Sequence, residues 1–135
     1  MVLFWSVDFS LIIQKSSLHF DNDRDIYVYF PPVILDDKNA CLRINFTAFS
    51  YFAVKIAYFN DSSNEYKERV LFRSMESLGK EFLQWQATIT PDMTDGGEFA
   101  VVLHARGSAF GKMAVINGIH LQMAECHPAG KKHEG

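Results

Sequence analysis

Apolar and polar residues alternate along most of this chain with a period of two. Leu42, Ile44 and Phe46 alternate with polar neighbours, and the same pattern recurs at residues 26–30 and 54–58. Successive side chains of a β-strand point to opposite faces, so this alternation predicts strands with one buried face. No segment of helical length carries apolar residues at a spacing near 3.6. The pattern therefore predicts an all-β protein.

The interruptions of this pattern predict where strands end. Pro31-Pro32 and Pro91 cannot continue a central strand, and polar clusters at residues 36–39 and 60–64 predict turns. Residues 74–83 are ambiguous and leave room for one helical turn. Asn117-Gly118 is interpreted as a bulge rather than a hairpin turn. The sum is about eight to ten short strands, which predicts an antiparallel β-sandwich.

The strand phases also predict the core. Residues 99–105 are apolar on nearly both faces, as expected of a central strand. Trp85 precedes an alternating segment and is expected to be buried with Phe99, Val101 and Leu103. A chain of 135 residues is long enough for one such core, and we expect a single domain over residues 1–127 with a linker-like tail at 128–135.

Composition adds the class of protein to this picture. The 14% aromatic content, with 12 Phe, favours strands. A net charge of −3 without a basic stripe argues against nucleic acid as a partner. No apolar run approaches the roughly 20 residues of a membrane span, so we expect no direct membrane insertion. The apolar N-terminus carries Asp8 and lacks a basic leading segment, so it predicts a first strand rather than a signal peptide.

The chain has two cysteines, Cys41 and Cys126. Each falls on the polar side of its strand, where a neighbouring strand can meet it without entering the core. A bridge between them would indicate an oxidising compartment. Two unrelated buried thiols are the alternative, and on this pattern the two interpretations are equally good.

Five segments in the same order resemble the strands of MAM domains. They are CLRINF at residues 41–46, the hairpin that follows it, the segment 79–90 with Trp85, FAVVLHARGS at 99–108, and the closing segment 114–126 that ends at Cys126. The similarity covers roughly residues 17–126. MAM domains are jelly-roll β-sandwiches of extracellular proteins, so the resemblance implies that fold, an extracellular location and a Cys41–Cys126 disulfide.

The chain also departs from this family in two places. The first cysteine pair of the family is missing, and residues 7–9 match its opening only faintly. Asn117-Gly118 replaces two acidic residues of the closing motif, and hard cations such as calcium need those oxygen ligands. We therefore expect no metal site here. Because the resemblance implies an extracellular domain, we also expect the chain to be part of a longer secreted or membrane-anchored protein.

Few residues suggest further chemistry. Asn45-Phe46-Thr47 and Asn60-Asp61-Ser62 are N-glycosylation triplets, and Asn60 is the better candidate because it begins a turn. His104 and His120 lie on strands but lack a third ligand, so a metal site between them is not expected; His19, His127 and His133 add no pattern. No nucleophile, base or phosphate-binding motif is present, so we expect neither an enzyme nor a cofactor.

These observations predict a non-enzymatic module for protein recognition or cell adhesion, with an extracellular or homophilic partner. We expect its binding face among the basic residues on polar strand positions, Arg43, Lys55, Arg69 and Arg73. The alternative is a carbohydrate-binding jelly roll whose exposed aromatic side chains stack on sugars. Tyr27, Tyr29 and Tyr51 are the candidates for that role.

Overall fold

The structure is a computed structural model, and it describes residues 2–7, 11–15, 25–79, 81–95, 97–106 and 111–127. His19, His133, Asp8 and the predicted tail at 128–135 lie outside the described residues.

The described residues form ten strands and one short 3₁₀ helix. The strands are β1 (Val2–Val7), β2 (Leu11–Lys15), β3 (Asp25–Tyr29), β4 (Val33–Ile34), β5 (Ala40–Ala48), β6 (Tyr51–Asn60), β7 (Glu65–Ser74), β8 (Leu83–Ile89), β9 (Glu98–Arg106) and β10 (Gly111–Met123). The 3₁₀ helix, Pro91–Thr94, lies between β8 and β9.

The strands form two antiparallel sheets of five strands each. In the first sheet the order is β1-β10-β5-β8, with β2 also pairing with β10. In the second sheet the order is β3-β9-β6-β7, with β4 also pairing with β9. Consecutive strands change sheet repeatedly, as between β5 and β6 and between β8 and β9. The two sheets pack against each other, which confirms the predicted antiparallel jelly-roll β-sandwich.

The core lies between the sheets and is built from one face of each central strand. On β5 the inward side chains are Leu42, Ile44 and Phe46, and all three are buried. On β9 they are Val101 and Leu103, which are also buried. β9 lies between β3 and β6, and its outward Val102 is also buried, flanked by Tyr29 and Lys55 on the neighbouring strands.

Phe99, Val101 and Leu103 are in the core as predicted, but Trp85 is only half-buried. It lies on β8, at the edge of the first sheet, and its ring centroid is 5.9 Å from that of Phe72 on β7. These two strands are the edges of the two sheets on the same side of the sandwich. Trp85 therefore closes that side of the core rather than filling its centre.

The predicted bulge is confirmed, and the described residues of the ambiguous segment 74–83 form no helical turn. β10 is continuous through Asn117-Gly118, but its register against β5 shifts between Ile116 and Ile119. Gly118 has a φ of 131°, a backbone conformation that glycine adopts easily and that residues with a Cβ atom rarely adopt. The described residues of segment 74–83 contain bends and the start of β8 but no helix. The helical turn forms at Pro91–Thr94 instead, where proline fixes φ at a helix start.

Cys41 and Cys126 form a disulfide, as the resemblance implied. Their Cα atoms are 4.9 Å apart, and 85 positions separate them in sequence. After β10 the chain turns back across the outer face of the first sheet, and the Cys126 amide donates to Thr88 Oγ1 at 3.2 Å. The bridge therefore ties the end of the chain to β5, with β8 as its neighbour.

Candidate functional site

The outer face of the second sheet carries a cluster of aromatic and charged side chains. Alternation along β3 buries Ile26 and Val28 partly and turns Tyr27 and Tyr29 outward. Strand pairing places Tyr27 opposite His104 on β9 and His104 opposite Ala53 on β6. Tyr51, at the start of β6, pairs with Arg106. We call this cluster the tyrosine face; it comprises Asp25, Tyr27, Tyr29, Tyr51, His104 and Arg106.

His104 is the centre of the tyrosine face. Its ring stacks on Tyr27 with centroids 4.3 Å apart and an interplanar angle of 13°. Tyr51 approaches it edge-on, with centroids 5.1 Å apart. Asp25 Oδ1 lies 3.0 Å from His104 Nε2, while His104 Nδ1 is buried without a hydrogen-bond partner. Aromatic pairs and a carboxylate thus fix the imidazole on an outward position of the sheet.

Asp25 joins His104 to Arg106. Arg106 Nε donates to Asp25 Oδ1 at 2.6 Å, the same oxygen that meets His104. The hydrogen bond from Arg106, and then that from His104, lowers the pKa of Asp25 below its ordinary value. The same pairing raises the pKa of Arg106. The Arg106 guanidinium carbon also lies 5.4 Å from the Tyr51 ring centroid, within the range of a cation–π contact.

Lys55 borders the tyrosine face on β6. Its Nζ lies 3.4 Å from Glu68 Oε1 and 6.0 Å from the ring centroid of Tyr27. Lys55 is nevertheless buried, at 9% exposed, although it lies on an outward position of the sheet. Tyr29 is the most exposed member of the face, at 64%. The arrangement therefore presents accessible tyrosine side chains on a support held by hydrogen bonds and ring contacts.

This arrangement is suited to binding. Tyrosine and arginine are enriched among the residues that carry most of the binding energy of protein interfaces. Tyrosine also offers a large contact area at low entropic cost. The charges of Lys55 and Arg106 each meet a carboxylate, at Glu68 and Asp25. A partner would therefore meet an aromatic surface with nearly balanced charge.

The expectation that Arg43, Lys55, Arg69 and Arg73 share one face is wrong. Arg43 is on β5 in the first sheet, whereas the other three are on β6 and β7 in the second. Alternation along a strand reveals which residues share a side of that strand, but not which sheet the strand joins. The binding role of these four residues remains a prediction.

A register shift also separates Arg69 from Arg73. The pairing of β6 with β7 shifts between Val54 and Lys55, so Arg73 pairs with Ala53 and Arg69 with Ile56. Successive residues of β6 point to opposite faces, so the two arginines lie on opposite sides of β7. Arg69 points toward the 3₁₀ helix, where its Nε donates a hydrogen bond of 3.4 Å to the Met93 carbonyl.

The two glycosylation triplets have different surroundings. Asn60 ends β6 before an exposed turn, and its Oδ1 accepts from the Ser63 amide at 2.8 Å. Its Nδ2 donates to Asp95. Thr47 of the other triplet is buried, and its hydroxyl donates to the Gly79 carbonyl at 2.7 Å. The Asn45 triplet lies within β5, whereas the Asn60 triplet begins at the last residue of β6 and continues into exposed turn residues.

The histidines that were considered for a metal pair lie in different sheets. His104 is on β9 in the second sheet, and His120 is on β10 in the first, opposite Arg43. Within the described part of the chain, no group of three or more His, Cys, Asp or Glu side chains could hold a metal ion. His127 follows the disulfide, and its carbonyl accepts a hydrogen bond from Gln86.

Sequence reasoning identified three tyrosines of the face but missed His104, Asp25 and Arg106 as their support. Tyr27 and Tyr29 share a strand, so their common side follows from alternation. The pairing of β3 with β9 and of β9 with β6 joins them to the other members. Regular alternation within residues 99–106 was the available signal, since it places His104 and Arg106 on one side.

No protein-family model matches the chain, and no curated protein matches it significantly. Among the described residues, no helix is long and apolar enough to cross a membrane.

Proposed function

We propose that this chain is a non-enzymatic recognition module of an extracellular protein, which binds a protein partner through the tyrosine face. The observation that carries the proposal is the packing of Tyr27 and Tyr51 on a buried His104, with the exposed Tyr29 beside Tyr27. Exposed tyrosines on a fixed support are typical of interface hot spots.

The extracellular location is part of the same proposal. It is supported by the Cys41–Cys126 disulfide, because such bonds persist mainly in oxidising compartments. We further propose that the domain is of the MAM type. The proposal rests on the motif order in the sequence, and the disulfide between the cysteines that the motifs align agrees with it.

Binding of the isolated domain to itself and to a panel of ectodomains tests the proposed function. Bead aggregation detects self-association, and biolayer interferometry detects other partners. Tyr29→Ala should weaken the detected interaction at least ten-fold. Tyr66→Ala is the matched control, since Tyr66 is 79% exposed but lies on β7, where it contacts Phe59 rather than the tyrosine face. Equal effects of the two substitutions would contradict the assignment of the face.

A carbohydrate ligand is the second candidate for the tyrosine face. It is favoured by the outward position of Tyr27 and Tyr29, whose ring centroids lie 6.4 Å apart on one strand. Neutral glycans on an array distinguish the two candidates. Saturable glycan binding that Tyr29→Ala abolishes, without any protein partner, would replace protein recognition by carbohydrate recognition. Turnover of a substrate in a broad hydrolase screen would overturn both.

A further inference from the structure

The two sheets differ in charge. The strands that the structure assigns to the first sheet contain no Asp or Glu, although the whole chain has a net charge of −3. Their ionised residues at neutral pH are Lys15, Arg43 and Lys112. The strands of the second sheet carry acidic as well as basic residues, among them Asp25 and Glu68. An anion approaching the outer face of the first sheet therefore meets no carboxylate within its strands.

Two crossing segments delimit a polar strip on this outer face. At one end, Cys126 is bonded to Cys41, and its amide donates to Thr88. At the other end, the Gly79 carbonyl accepts from the Thr47 hydroxyl. Between these ends lie amide side chains from three neighbouring strands, with an arginine at their centre. We call this the amide strip; it comprises Arg43, Asn45, Gln84, Gln86 and Gln122.

Arg43 is held in the strip by neutral partners. Its Nε donates to Gln86 Oε1 and its Nη1 to Gln122 Oε1, each at 3.1 Å. No described carboxylate lies within salt-bridge distance of Arg43, in contrast to Lys55 and Arg106. These two hydrogen bonds use two of the five N–H donors of the guanidinium. The guanidinium is therefore oriented by two amides, while its charge and part of its donor capacity are available to a ligand.

Asn45 supplies a second indication. Its Oδ1 is buried in the strip without a hydrogen-bond partner. A buried amide oxygen is costly when unpaired, and because the Asn45 side chain is only partly buried, rotation of its amide brings the oxygen to the surface, where a ligand hydroxyl group donates to it. Gln84 is exposed beside it, because strand pairing places Asn45 opposite Gln84. The strip thus combines a cation with the amides of Asn45, Gln84 and Gln122, which both donate and accept hydrogen bonds. The Gln86 amide is already bonded to Arg43 and to the His127 carbonyl and serves as support.

We propose that the amide strip binds an acidic saccharide, with Arg43 pairing with the carboxylate of a uronic or sialic acid and the amides bonding its hydroxyl groups. A carboxylate forms an ion pair with the Arg43 guanidinium, and sugar hydroxyl groups both donate to and accept from side-chain amides. An acidic peptide fits less well, because a protein interface depends on aromatic or apolar anchors. The amide strip contains no Tyr, Trp or Phe, whereas the tyrosine face on the other sheet does.

Titration with defined saccharides tests this proposal. Hyaluronan hexasaccharide supplies glucuronate and sialyllactose supplies sialate, while chitohexaose is the uncharged control and a poly-glutamate peptide the protein-like control. Calorimetry measures affinity, and ¹H–¹⁵N spectra follow the side-chain amides of Gln84 and Gln122. We expect one of the acidic saccharides to bind and to shift those signals, at least ten-fold more tightly than either control.

Substitutions then assign the site. Arg43→Gln should weaken acidic-saccharide binding at least ten-fold, and Arg43→Lys should weaken it less because the charge is kept. Arg73→Gln is the matched control, since Arg73 is an exposed strand arginine of the second sheet. Circular dichroism and mass spectrometry confirm that each variant is folded and unmodified at Asn45.

Four outcomes would overturn the proposal: no binding of either acidic saccharide, equal binding of chitohexaose, equal binding of poly-glutamate, or equal effects of Arg43→Gln and Arg73→Gln. If Tyr29→Ala abolished saccharide binding and Arg43→Gln left it unchanged, the saccharide site would lie on the tyrosine face instead. Protein-partner binding through Tyr29 is measured separately, so either proposal can fail alone.

Discussion

Cys126 crosses the outer face of the first sheet to reach Cys41, with 4.9 Å between their Cα atoms. Without this bond, the segment after β10 would be held by three hydrogen bonds to neighbouring segments: the Cys126 amide donates to Thr88, Gln86 donates to the His127 carbonyl, and Asn39 donates to Glu125. The disulfide therefore fixes one end of the amide strip as well as the closing strand of the sandwich.

Reduction of this disulfide should destabilise the fold strongly. For a loop of 85 residues, the chain-entropy model gives about 4–5 kcal/mol, because the bond restricts the unfolded chain. Denaturant unfolding of the oxidised protein and of Cys41→Ser/Cys126→Ser measures the difference. Peptide mapping without reductant should recover the linked pair. Unchanged stability in the double variant would contradict a formed bridge.

Asn60 should carry a glycan when the domain is secreted from a eukaryotic host. It precedes an exposed turn, whereas Thr47 of the other triplet is buried and hydrogen-bonded. Intact-mass analysis before and after enzymatic deglycosylation checks this. Asn60→Gln should remove more of the mass difference than Asn45→Gln. An unchanged mass on deglycosylation would refute the prediction.

Trp85→Ala should cost about 2 kcal/mol of folding free energy, less than the 3–5 kcal/mol usual for a fully buried tryptophan. The residue is half-buried and packs on Phe72 where the edge strands β8 and β7 meet. Leu103→Ala is the comparison, because Leu103 is fully buried and should cost about 2–5 kcal/mol. A Trp85 loss below about 0.5 kcal/mol would mean that this contact is not formed.

Asp25→Asn should reduce the loss of unfolding free energy that occurs as the pH is lowered from 7 to 3. The hydrogen bond from Arg106 lowers the pKa of Asp25, so the unfolded chain binds this proton more tightly than the folded one. The contribution of this pair to the free energy of unfolding is therefore fully present above the pKa of Asp25 in the unfolded chain, about 4. It is lost as the pH falls through the lower pKa of Asp25 in the folded protein. At neutral pH the substitution should cost at most about 1 kcal/mol, because the pair is partly solvated.

Urea unfolding between pH 7 and pH 3 measures this effect. Asp36→Asn serves as the control, since Asp36 is exposed in a turn at φ 51, a conformation that asparagine tolerates. Its profile should follow that of the parent protein. Parallel profiles for Asp25→Asn and the parent would show that the Asp25–Arg106 contact contributes nothing.

The sequence by itself determined the strands, the sheet class and much of the core. Alternation is a local property, so it located the β5 core residues and the turn after Asn60 without any tertiary information. The glycine at position 118 similarly indicated a bulge within β10. Tyr27 and Tyr29 shared a side for the same local reason, since two positions along a strand return to the same face.

Tertiary structure decided which strands became neighbours, and therefore which side chains met. Arg43 and Lys55 have the same local pattern, but their strands joined different sheets. A one-residue register shift then put Arg69 and Arg73 on opposite sides of β7. Tyr27 meets His104 only because β3 pairs with β9 across 77 positions of sequence. Pairing between distant strands depends on burial of the whole core, and no local pattern encodes it.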